Sequence, residues 1–170
     1  ELEQALSARD AELQRLTAAQ QCSHVFFEEA PDGCYICDLA GTFVDGNRAA
    51  EEIIGYSRDE LIGRSFLKLR LLSKGDIVKA GRLLLESALG RPTGPEQFTL
   101  RRKDGTEAIV EIRTHPIQIQ GQVRILGIAR DVTHHKSLEA ALSQAEERYS
   151  LAVSAGRVGV WDWDLDTNAI

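Results

Sequence analysis

Cys34 and Cys37 stand at Cys-x-x-Cys spacing, which serves zinc binding or dithiol redox chemistry when the surroundings fit. No second cysteine pair exists and no histidine follows Cys37, so neither a zinc site nor a covalent heme attachment is supported. The pair also falls in a β-prone run, where residues three apart point to opposite faces. Two buried strand thiols are the expected outcome, and no metal is expected. The four histidines are His24, His115, His134 and His135. His115 precedes Pro116 near a strand end and faces away from the inward set Val110, Ile112 and Thr114. His134-His135-Lys136 lacks the surroundings of a phosphate-accepting histidine and reads as a solvated helix start. No Ser-His-Asp order, phosphate loop or zinc spacing is present. The acidic residues are accounted for by turns, caps and solvated faces. No catalytic residue is expected, and any enzymatic activity would lie outside this segment.

The elements around these residues set further bounds. Apolar residues make up 43% of the 170 positions, enough to bury a core. The net charge of −6 is a poor match to a phosphate backbone, so no nucleic-acid partner is expected. No run reaches the roughly 18–20 apolar residues of a membrane span, and no signal-peptide pattern opens the chain. Membrane contact is not expected from this segment. Methionine is absent, and the simplest reading is an excised piece of a larger protein. An odd cysteine count of 3 favours a reducing compartment, here the cytoplasm.

Glu1 to about Gln21 is free of Gly and Pro and rich in helix formers. Leu2, Leu6, Leu13 and Leu16 form a heptad stripe interrupted at Arg9. The stripe suits a short coiled coil, and a helix lying on the domain's own sheet is the competing reading. Gly33–Cys37 and Thr42–Val44, around a turn at Asp38–Gly41, read as a hairpin. The first strand is apolar on both faces, so the N-terminal helix is a candidate to cover the face away from the core. Asn47 caps a helix that Gly55 stops, and Ser57 with Glu60 forms a capping box for a second one ending at Gly63. Ser73–Leu89 is a longer helix with Ile77, Ala80, Leu84 and Ala88 as its expected apolar face. Glu96–Arg102, Thr106–Gln120 and Val123–Val132, joined by short turns, read as a three-strand meander with Ala108, Val110, Ile112 and Thr114 on one face. Thr133 caps a last helix whose Leu138, Leu142, Ala145 and Tyr149 again follow heptad spacing.

The end of the chain repeats its beginning. Gly33, Tyr35, Cys37, Asp38 and Leu39 align with Gly159, Trp161, Trp163, Asp164 and Leu165. Asp162 alternates with the two tryptophans, so these face a core, and by analogy so do Tyr35 and Cys37. A second copy that stops about one strand in would expose Trp161 and Trp163 unless that strand pairs with an edge or groove.

Strand, strand, several short helices and three strands describe one antiparallel sheet interrupted by helices. In that order, Ala30-Pro31-Asp32-Gly33, Asn47-Arg48-Ala49-Ala50, Ile53-Ile54-Gly55-Tyr56, Ser57 with Asp59–Gly63, Arg101–Gly105 and Gly127–Thr133 resemble a PAS domain with its C-terminal PAC part. The divisions expected are a linker helix (1–22), the PAS/PAC domain (23–133), a connector helix (134–148) and the start of a second PAS domain (149–170), as in bacterial proteins with several PAS domains. The resemblance implies an α+β fold: a five-stranded antiparallel sheet with helices on one face, flanked by coiled-coil-like helices. It implies a sensory or interaction role. Asp131-Val132-Thr133 is then the expected signal relay, with Asp131 paired to a base and Thr133 capping the exit helix.

The matching positions bear on cofactor binding. Light-sensing flavin relatives carry a thiol in a Gly-Arg-Asn-Cys motif, and Gly63-Arg64-Ser65-Phe66 puts Phe66 in its place. The positions that hydrogen-bond the flavin ring correspond to Leu100, Val110 and Ala129. Heme relatives use a histidine on the long helix, and residues 73–90 contain none. No heme, flavin or other cofactor is expected. The interior set, either pocket or core, is Tyr35, Cys37, Phe66, Phe98, Leu100, Val110, Ile112, Ile125 and Ala129, with a packed core preferred. The expected function is a regulatory PAS module of a bacterial signalling protein, a sensor histidine kinase first. It would form a homodimer through Leu2, Leu6, Leu13, Leu16, Leu138 and Leu142 and work with other domains of the same polypeptide. Alternatives are a small-ligand sensor, part of a PAS-linked diguanylate cyclase, and a structural adaptor.

Overall fold

The structure is a computed structural model that describes residues 2–156, with side chains described from 9 to 154. The readings on Trp161, Trp163 and the second strand repeat lie outside the described residues, as do the side chains of Leu2 and Leu6. The chain forms two units, one ending at Val132 and one beginning at Thr133. The second contributes the helix α5 (Thr133–Gly156).

The first unit opens with α1 (Leu2–Glu28), as its run of helix formers requires. Every described side chain from Arg9 to Phe26 is exposed. The reading of a helix lying on its own sheet is therefore corrected for this stretch. Its polar residues, among them Arg9, Asp10, Glu12 and Arg15, surround the leucine stripe and leave it too narrow to cover a sheet. The outward residues Cys34 and Ile36 remain half-buried without that helix.

The sheet has five antiparallel strands in the order β2-β1-β5-β4-β3. They are β1 (Gly33–Cys37), β2 (Phe43–Gly46), β3 (Thr93–Arg101), β4 (Glu107–Ile119) and β5 (Gln122–Asp131). The meander places β4 beside β5, and β1 pairs with β5 through Gly33↔Ala129, Tyr35↔Gly127 and Cys37↔Ile125. Ala108, Val110, Ile112 and Thr114 are buried as their alternation predicts, and His115 is exposed. At Gly127 an added Cβ would lie 2.1 Å from the Tyr35 ring, so the bare glycine makes room for the aromatic across the strand pair.

Three helices separate the two parts of the sheet: α2 (Arg48–Ile54), α3 (Arg58–Leu61) and α4 (Lys74–Ala88). Asn47 caps α2 by accepting from the Ala50 N–H, and Gly55 ends it at φ 74°, where only glycine is unstrained. The Ser57–Glu60 capping box opens α3. In α4 the buried residues are Asp76, Ala80, Leu83 and Ser87, which corrects the expected face. Ile77 and Ala88 are exposed and Leu84 is half-buried. The helix is rotated because its polar residues bond to the sheet: Asp76 accepts the Thr99 N–H (3.2 Å) and the Ser87 hydroxyl meets Thr114 (2.8 Å). Satisfied buried polar groups can thus decide which face points inward.

Candidate functional site

Tyr35 and Cys37 on β1, Phe98 and Leu100 on β3, Ile112 on β4, and Ile125 and Ala129 on β5 face the helices and line a cavity of about 90 Å³. Phe66, from the segment between α3 and α4, lines it as well, with Leu71, Leu72, Leu83 and Ile53 among its other neighbours. Val110 is fully buried beside this set but does not line the space. The packed interior preferred from sequence is thus one with room left in it, enough for a small apolar body. Burial pushes the Cys37 thiol up to about 12, with the Asp38 carboxylate adding to the effect. Burial, then Cys37, likewise raises Tyr35 above the usual phenol range. Both stay neutral at physiological pH, so the cavity wall carries no charge from them. Leu100, Val110 and Ala129, the positions matching a flavin's partners, are all buried and apolar. Cys34 does not line the cavity with Cys37, and both are free thiols. Among the described residues no group of His, Cys, Asp and Glu side chains could hold a metal ion.

A second set of residues ties the cavity's walls to the end of α1 and the end of α2. Asn47 is fully buried. Its Oδ1 accepts from the N–H groups of Cys34 (2.8 Å) and Ala50 (3.0 Å), and its Nδ2 donates to the carbonyls of Phe27 (3.0 Å) and Asp32 (3.1 Å). One side chain so holds the end of α1, β1 and α2 together. Arg58 bridges Glu28 on α1 (2.6 Å) and Asp45 on β2. Arg130 on β5 makes a two-pronged pair with Asp32, at 3.0 and 2.9 Å. The next residue, Asp131, pairs with Arg102 at 2.7 Å, and Arg102 also donates to the Ile53 carbonyl at the end of α2. The base expected for Asp131 is therefore Arg102. A cation against the last carbonyls of a helix is favourable in its own right. Val132 donates to the Ile109 carbonyl and α5 begins at Thr133.

Leu13 and Leu16 on α1 and Leu138 and Leu142 on α5 are exposed, as are Ala145 and Tyr149. Val25 and Phe26 near the end of α1 are exposed as well, although the heptad stripe did not include them. The roles of Arg58, Arg102 and Arg130 went unread, because a long cation names no partner until the topology supplies one. The bond from Asn47 to two carbonyls is of the same kind: its capping role was visible, its amide donors were not.

A small apolar cavity between a five-stranded antiparallel sheet and a layer of short helices is the architecture of a sensory module. Residues 27–137 match the family model described as the PAS fold, and the chain belongs to the PAS family. It is similar to the probable diguanylate cyclase DgcE of Escherichia coli (strain K12), at 24% identity over 139 residues, covering 80% of this chain and 12% of that protein. It is also similar to sporulation kinase A of Bacillus subtilis (strain 168), at 28% identity over 116 residues, covering 68% of this chain and 19% of the kinase. Among solved structures it is similar to a domain of the sensory box sensor histidine kinase/response regulator from Geobacter sulfurreducens. That match has 34% identity and a TM-score of 0.56, covering 68% of this chain and 96% of that domain. No helix among the described residues is long and apolar enough to cross a membrane.

Proposed function

We propose that this chain is a regulatory module of a bacterial cytoplasmic signalling protein, a sensor histidine kinase before a diguanylate cyclase, that forms a homodimer through its flanking helices. A change in the PAS interior is relayed through Asp131-Val132-Thr133 into α5. The observation that carries this reading is that the described leucines of both stripes are uncovered. Leu13 and Leu16 are 53% and 58% exposed, and Leu138 and Leu142 are 55% and 62% exposed. A stripe at heptad spacing that its own chain leaves in water is the form a coiled-coil seam takes before its partner arrives. Likeness to two kinases and one cyclase supports a signalling context, with the kinase favoured by number. The module works with other domains of its polypeptide, not with nucleic acid or membrane, in keeping with its net charge of −6. It carries no resident cofactor, because Leu100, Val110 and Ala129 offer no hydrogen-bonding side chain.

Sedimentation equilibrium tests the seam. The wild-type chain is expected as a dimer at micromolar concentration, and L13E/L16E with L138E/L142E as a monomer. A monomeric wild type overturns the dimer. The relay is read by hydrogen exchange at the start of α5, where D131N is expected to speed exchange. Unchanged exchange removes Asp131 from the relay. An absorbance scan of the same sample with a Soret or flavin band would overturn the reading on cofactors.

A further inference from the structure

Beside the cavity lies a second, larger space of about 510 Å³, and both are partly open to solvent. Phe66 and Leu72 line both, so these two side chains are the partition between the interior and the groove. The groove also carries Arg70, Lys74 and Arg101, against the single carboxylate of Glu107. None of these three cations has a hydrogen-bond or ion-pair partner for its side chain among the described residues, whereas Arg58, Arg102 and Arg130 are all paired. Three unpaired cations around one opening run against the chain's net charge of −6. Arg70 moreover sits in the left-handed region at φ 53°. A non-glycine residue rarely adopts that conformation, and such residues gather at ligand clamps.

We propose that the groove is the head-group site for a small amphiphilic carboxylate, whose apolar tail passes between Phe66 and Leu72 into the cavity. The inference rests on the sensory reading of the PAS interior and names the class of ligand that interior takes. The cavity wall suits the tail: it is mostly apolar, its one carboxylate, Asp45, is held by Arg58, and Cys37 and Tyr35 are neutral. It does not suit the head, because a charge buried there would lack a partner. The groove supplies what the cavity lacks, three cations at the surface where a carboxylate keeps part of its water. An acidic peptide would use the cations but not the apolar space behind them. A ligand that uses both joins an apolar tail to an anionic head.

Calorimetric titration of the whole chain with submicellar octanoate, its neutral analogue octanamide and an oligoglutamate peptide tests this. Octanoate is expected to bind more tightly than octanamide. R70Q/K74Q/R101Q is expected to weaken octanoate roughly tenfold while leaving octanamide unchanged, since each exposed ion pair contributes only a small factor. A129L, which fills the cavity, should weaken both ligands, and L100F gives a second filling change if that variant does not fold. No binding of octanoate, equal binding by the triple variant, full binding by a folded cavity-filled variant, or a preference for the peptide each overturns the proposal. The dimer is read separately by sedimentation without ligand. A dimer that binds no octanoate overturns this inference alone, and a monomer that binds it overturns the dimer reading alone.

Discussion

Replacing Asn47 by alanine should be among the most damaging single changes in the domain. The side chain is fully buried and makes four hydrogen bonds between 2.8 and 3.1 Å, to Cys34, Ala50, Phe27 and Asp32. Alanine removes the cap of α2, which costs about 1 kcal/mol. It also leaves the Cys34 N–H and two carbonyls without their side-chain partner, at about 1 kcal/mol or more for each that water cannot reach. Together the loss is about 4 kcal/mol when all three groups stay dry, a large share of the roughly 5–15 kcal/mol that holds a domain folded. In urea that is a fall in midpoint of about 2 M at an ordinary slope. N47D separates the two halves of the role. It keeps the accepting oxygen but turns a second oxygen toward the carbonyls of Phe27 and Asp32, so it should fall well below wild type. N47S keeps only the cap and should lie between wild type and N47A. Circular dichroism of each variant against urea supplies the numbers, with limited proteolysis between residues 29 and 32 reporting release of the α1 end. A loss under about 1 kcal/mol for N47A, or wild-type stability for N47D, would refute this account.

Gly127→Ala should destabilise the domain by about 1–3 kcal/mol through overpacking against Tyr35, and adding Y35L should restore part of the loss, as a double-mutant cycle in urea will read. Burial raises the pKa of Asp76, but Lys79, the Thr99 N–H and the Ser73 hydroxyl outweigh it and hold the carboxyl below its usual range. Its stabilising effect is therefore complete above an unfolded value of about 4 and fades as pH falls through the lower folded value. The wild-type urea midpoint should drop over that acidic window, and D76N, about 1 kcal/mol weaker at neutral pH, should show a flatter profile. Equal slopes would mean that Asp76 has no part in the acid sensitivity. A thiol reagent at pH 8 should label exposed Cys22 at once, Cys34 more slowly, and Cys37 only on unfolding, because burial raises both strand thiols and most of all Cys37. Early modification of Cys37 would mean that the interior opens readily.

What the sequence disclosed here was local. Asn47, Gly55 and the Ser57–Glu60 box act within a turn of where they stand, and the alternation of Ala108, Val110, Ile112 and Thr114 needs only one strand. Apolarity alone points to the wrong face of α4, because Asp76 and Ser87 are buried by bonds to strands that lie further along the chain. The interior residues were legible as a set. The space between them depends on how α4 and the Phe66 segment settle, and no period in the sequence encodes that. Arg102 was legible only as part of a turn motif, yet it joins the end of α2 to the end of β5 across 49 and 29 positions.

The placement of β5 gives the cavity its consequence. Ile125 and Ala129 form part of its wall, and the strand ends in Arg130 and Asp131. Arg130 holds Asp32, which follows α1, and Asp131 holds Arg102, which donates to the last carbonyls of α2. In the proposed function, a ligand that pushes the Ala129 wall outward acts on a strand whose next two residues are tied to the end of α1 and, through Arg102, to the end of α2. The individual pairs are exposed and each is weak. That suits a relay, since ties of small free energy can be exchanged by a ligand of modest affinity. R130A should therefore leave the fold intact while raising hydrogen exchange at the end of α1, around Glu28–Asp32, and R102A should do so at the end of α2. If both variants exchange like wild type at those places, the ends of β5 hold the sheet together but carry no signal.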